Sequence, residues 1–103
     1  MDFCEAIASV PKEELRIKST IIYLFLQLEL YEEEGMVYAV DAVYHAYTQQ
    51  SDEENVILTA VAQCHGVSED TVKQGLCSFF HRQDPISSVL KMAGKLKEYD
   101  MYQ

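Results

Sequence analysis

The sequence is poor in residues that break a fold into pieces. Its 103 residues include two prolines and four glycines, too little material for linkers, so one core is expected over residues 1–103, with disorder only at the ends. Long hydrophobic runs are missing as well. The longest, Ile21 to Leu26, ends at Gln27, far short of the roughly 18 apolar residues a membrane span needs. No membrane partner is expected. The start, Met-Asp-Phe-Cys-Glu, lacks the basic residues and small-residue cleavage site of a secretory signal. Cysteine is sparse: Cys4, Cys64 and Cys77 are odd in number and widely spaced, which excludes a disulfide framework and fits reduced core thiols. Both features predict a cytoplasmic chain. No period-2 alternation is long enough for a strand, so the expected class is all-α.

Basic residues are the other scarcity. Eight lysines and arginines face seventeen aspartates and glutamates, for a net charge of −9. This argues at first sight against nucleic acid, because phosphate contacts need lysine or arginine. The imbalance is uneven, however. Residues 1–63 hold three bases against twelve acids, whereas 64–97 hold five (Lys73, Arg82, Lys91, Lys95, Lys97) against Glu69, Asp70 and Asp84. The acidity belongs to the first half.

Apolar spacing and end signals predict about six helices. A short one covers about Asp2 to Ser9, and a second starts at Val10-Pro11, since proline fits a first helical turn. The second is expected to reach about Glu34. Its middle, Ile21-Ile22-Tyr23-Leu24-Phe25-Leu26, is apolar on nearly every face, as a central helix requires. Gly35 closes it, and a third helix follows with Val37, Val40, Tyr44 and Tyr47 in one stripe. Ser51-Asp52-Glu53-Glu54 reads as a capping box. The fourth helix carries Val56, Ile57, Ala60, Val61 and Cys64 on one side and stops at Gly66. Ser68 caps the fifth, whose Val72, Leu76, Phe79 and Phe80 face inward. Asp84-Pro85 separates it from a last helix bearing Ile86, Val89, Leu90, Ala93 and Leu96.

The segment Ala62-Gln63-Cys64-His65-Gly66-Val67-Ser68-Glu69-Asp70-Thr71-Val72 has helix-turn-helix spacing, within a unit spanning about 55–81. Ala62 is small enough for two helices to approach. Gly66 takes positive φ in the turn, Val67 and Val72 pin the second helix, and Ser68 satisfies its free N–H groups. The same local pattern also fits a plain helical hairpin in a bundle.

With this motif in place, the chain resembles the C-terminal effector domain of the sporulation master response regulator of endospore-forming bacteria. The likeness covers nearly the whole chain in order: the short helix ending in Val10-Pro11, the long Ile/Tyr/Leu-rich helix, a third helix, the helix-turn-helix, and a closing helix reading Val89-Leu90-Lys91-Met92-Ala93-Gly94-Lys95-Leu96. It rests on order and spacing more than on identity. The resemblance implies a six-helix transcription regulator whose fifth helix enters the DNA major groove. Such regulators normally carry a phosphoacceptor receiver domain too, for which this chain has no room. It would thus be a free-standing effector-like domain.

The departures fall on the reading helix. Where that family carries arginines, this chain has Thr71, Gln74 and Cys77, leaving Lys73 as the only base before Arg82. The expected DNA-contacting residues are Ser68, Thr71, Lys73, Gln74, Ser78 and Arg82, with Lys91, Lys95 and Lys97 adding backbone contacts that set position. Gln74 can read adenine. Glu69 and Asp70 stabilise the helix dipole and repel phosphate. A dimer on paired half-sites is compatible with such a domain. The rival reading is an acidic protein-interaction or dimerisation module of the same fold that has lost DNA binding. The tyrosines at 23, 31, 38, 44 and 47 and the run Glu29, Glu32, Glu33, Glu34 belong to that reading, although core packing and a solvated helix end explain them more simply.

Other chemistry finds no support in the residues. His65 beside Cys64 lacks the spacing of a metal site, and the acids lack calcium-loop spacing. No serine or cysteine sits in a nucleophile elbow. Neither an enzyme nor a cofactor is expected.

Overall fold

The structure, a computed structural model, describes residues 12–30, 35–50 and 52–101. These form five helices: α1 (Lys12–Gln27), α2 (Met36–Gln49), α3 (Glu54–His65), α4 (Glu69–Phe80) and α5 (Pro85–Met101). There is no strand among the described residues, so the chain is all-helical there. The short helix expected near Asp2 to Ser9 lies outside the described residues, as do Cys4, Pro11, Tyr31, Glu32, Glu33, Glu34 and Ser51.

The central element is α2, not the longer apolar helix. It carries Ala39, Ala42 and Ala46 beside Val40 and Val43, all buried, and it packs on each of the other four helices. Small side chains on several faces let many neighbours approach one axis. In α1, by contrast, only Ile17, Ile21 and Phe25 are buried, while Ile22, Tyr23 and Leu26 are exposed. The uninterrupted apolar run therefore misleads, because α1 lies on the outside of the bundle with one face inward. Its end also comes early. Glu29 adopts a left-handed backbone (φ 60°) and Leu30 N–H bonds back to the Phe25 carbonyl at 3.0 Å, closing the helix well before Glu34.

Further expectations need correction. Val37 is 59% exposed and leaves the α2 stripe: it is the second residue of the helix that Gly35 caps, ahead of the buried run that begins at Ala39. The capping box rests on Ser51, which lies outside the described residues; the N-cap of α3 is Glu53, which makes no side-chain cap bond. Cys64 is exposed, Val56 is largely so, and Ala60 is half-buried, because the α3 core face is narrower, built from Ile57, Leu58, Val61 and Ala62.

The buried residues form one continuous cluster to which every helix contributes. At its centre Phe25 of α1 meets Phe79 and Phe80 of α4 edge to face, with ring centroids 4.9 and 5.9 Å apart. Each such pair adds about 0.5–1.5 kcal/mol beyond simple area burial. α5 begins at Pro85, whose missing N–H costs nothing in a first turn, and closes the core with Ile86, Val89, Met92 and Leu96.

Candidate nucleic-acid interface

The α3–α4 turn is built as its residues dictate. Gly66 is left-handed (φ 64°), and its N–H and that of Val67 both return to the Ala62 carbonyl, the closing pattern that satisfies a helix's last carbonyls. Ser68 is the N-cap of α4, its Oγ accepting from Thr71 N–H at 3.2 Å and lying 2.9 Å from Thr71 Oγ1. Thr59 of α3 donates a hydrogen bond to the Glu69 carboxylate, pinning the start of α4 against α3. Behind the turn, Val72, Leu76, Phe79 and Phe80 are buried. The outer face of α4 is therefore held rigidly.

That face carries Ser68, Thr71, Lys73, Gln74 and Ser78, all exposed. Lys73, Gln74 and Ser78 share a shallow depression with Asp70 and Cys77. Thr71, Gln74 and Ser78 also edge a groove whose far wall is Gly35, Val37, Tyr38 and His65. Lys73 is not free: its Nζ lies 3.3 Å from the Glu54 carboxylate at the start of α3. Arg82 stands apart from the others. His81 takes a left-handed backbone (φ 55°) after α4, and Arg82 then lines a different groove, together with Lys91 and Lys95 of α5. Lys97 is exposed elsewhere on α5.

Sequence reasoning missed the polar network beside the turn. Asp41 of α2 accepts from Lys18 of α1 at 3.0 Å and pairs with His65, the last residue of α3. Lys18 also reaches Glu14 at 3.0 Å and lies over the Tyr44 ring. Burial pulls the Lys18 pKa down, but hydrogen bonds to Glu14 and Asp41 and their charges outweigh it, and the net shift is upward. A signal was present: Asp41 is the only acid in α2. A lone carboxylate in an apolar helix needs partners. His45, one turn further along α2, has its Nε2 3.7 Å from Cys64 Sγ and a buried Nδ1 without a hydrogen-bond partner among the described residues. Burial lowers its pKa, helped by the Lys18 charge and opposed by Asp41 and Glu14.

Among the described residues no group of three or more His, Cys, Asp or Glu side chains is arranged to hold a metal ion, and no helix is long and apolar enough to cross a membrane. No family model, curated protein or solved structure matches the chain.

Proposed function

We propose that this chain is a helix-turn-helix regulatory domain of the kind found in sporulation response-regulator effectors, and that α4 is its DNA-reading helix. The observation that carries the reading is the exposed polar row Thr71, Gln74 and Ser78 on a helix fixed by the Ser68 cap and the Gly66 turn. Gln74 in the middle of that row has the donor and acceptor pair that recognises adenine in the major groove. Arg82, Lys91 and Lys95 supply flanking positive charge for phosphates. The chain acts as a regulator without catalytic chemistry of its own.

The test is fluorescence-polarisation binding to a pool of duplex DNA at low and moderate salt. Saturable binding is expected, with Lys73→Ala and Gln74→Ala both weaker. Three phosphate contacts imply an affinity that falls roughly 40-fold between about 50 and about 200 mM salt. Absence of binding at low salt sinks the reading.

A second reading has its own observation. Lys73 is engaged by Glu54 at 3.3 Å, and the chain carries a net charge of −9. Both favour the same face contacting a protein instead of DNA. The salt titration separates the two, because a polar protein contact lacks the steep counterion-release slope.

A further inference from the structure

In a chain with seventeen acids and eight bases, cations are expected to be paired, and several are. Arg16 binds Glu13, Lys18 binds Glu14 and Asp41, and Lys73 binds Glu54. Arg82, Lys91 and Lys95 differ: they gather on one groove of about 270 Å³ whose lining contains no carboxylate among the described residues. None of the three has an ion-pair partner among the described residues. Lys91 and Lys95 stand at i and i+4 on α5, where like charges repel. An anion bound between them would relieve that repulsion.

The floor between these cations is apolar. Leu28 and Leu30, just past the end of α1, face Phe80 of α4 and Met92 of α5 across the groove. Leu28 is left 45% exposed at its edge. An apolar trough with a one-signed rim is the shape that takes an amphipathic helix, whose large side chains enter the trough while its charges meet the rim. We propose that this groove docks an acidic amphipathic helix of a partner protein. Two carboxylates four residues apart on that helix span about 6 Å, matching Lys91 and Lys95, with a third reaching Arg82. The proposal stands apart from DNA reading by α4: the two surfaces share the flanking cations Arg82, Lys91 and Lys95, but the reading row Thr71, Gln74 and Ser78 lies outside this groove.

The probe is a synthetic fluorescein-labelled helical peptide of about 15 residues, or four turns, with leucine and phenylalanine at i and i+4 and glutamates flanking them. Binding is read by fluorescence polarisation and located by amide chemical shifts of the full chain. The expected result is saturable binding, shifts around Leu28, Phe80 and Lys91, and a loss of about tenfold or more in Lys91→Glu/Lys95→Glu and in the glutamine version of the peptide. Leu28→Ser, at an exposed position, is expected to weaken binding without changing the fold. Lys12→Glu/Lys97→Glu makes the same change in net charge away from the groove and is expected to bind normally. Equal loss in that control, equal binding of the glutamine peptide, shifts centred elsewhere, or no binding would each overturn the proposal. Duplex DNA is titrated separately with Gln74→Ala, so failure of α4 as a reading helix leaves this outcome legible.

Discussion

Gly35 and Gly75 meet with no room for a side chain: a Cβ on Gly35 would stand 2.1 Å from the Gly75 carbonyl oxygen. This contact seats the start of α2 on the middle of α4, directly behind Gln74. Gly35 also has φ 85°, a conformation other residues adopt only with strain. Gly35→Ala is therefore expected to destabilise the fold by more than about 2 kcal/mol, through both strain and a backbone clash. Gly75→Ala is expected to cost less. Its new Cβ would meet the Tyr38 ring at 2.6 Å, but a side chain can shift, and alanine in a helix interior recovers up to about 1 kcal/mol of propensity. Urea denaturation of the two variants checks the order.

Asp41 ties three helices together through Lys18 and His65 while only 14% of its side chain is exposed. Asp41→Asn preserves its shape but removes the charge that both partners use. The expected loss is about 1.5–3 kcal/mol, the range for hydrogen bonds to charged groups. The α3–α4 turn should feel it first, because His65 is the residue before Gly66. Amide hydrogen exchange is expected to show faster exchange at Val67 and Ser68 in this variant, whereas uniform acceleration across the chain would mean that Asp41 supports only global stability.

These two contacts also mark where sequence reasoning stops. The α4 cap and inward stripe were legible because Ser68, Val72, Leu76 and Phe79 interact at short, fixed spacings, and so was the closing turn at Gly66. The α1 face was not legible: six consecutive apolar residues carry no period, so neighbouring helices decide that Ile21 is buried and Ile22 exposed. The pairing of Lys73 with Glu54 and the gathering of Arg82 with Lys91 and Lys95 join residues on different elements. No local pattern encodes such meetings. The exposure of Thr71, Gln74 and Ser78 on one helix was readable from spacing, but not the gathering of the cations across elements.

His45 and Lys18 give stability opposite pH limbs. With its pKa lowered by burial, His45 takes up a proton more readily in the unfolded chain. Stability is therefore full above about pH 6.5, the unfolded value, and falls as pH drops through it toward the folded value. Lys18 is raised, so its contribution is full below about pH 10.4 and is lost as pH rises through the folded value. Urea midpoints at about pH 7.5 and about pH 5.5 are expected to differ less in His45→Gln than in the unaltered chain. Equal differences in the two proteins would remove His45 as the source of the acid limb.

Glu54 decides how much of Lys73 is available to a ligand. The pair is about half exposed on both sides, so breaking it is expected to change stability by less than about 1 kcal/mol. Its effect on DNA should be larger in proportion. Glu54→Gln releases the Lys73 ammonium and removes a negative charge from the edge of the proposed reading face. If α4 reads DNA, the variant is expected to bind duplex about threefold to tenfold more tightly at low salt, with a steeper salt dependence by about one phosphate contact. Adding Lys73→Ala should cancel most of that gain. A gain that survives in the double variant would reflect only the change in total charge, and an unchanged affinity would place Lys73 off the DNA altogether. The measurement therefore weighs the DNA reading against the protein-contact reading at the residue where the two diverge.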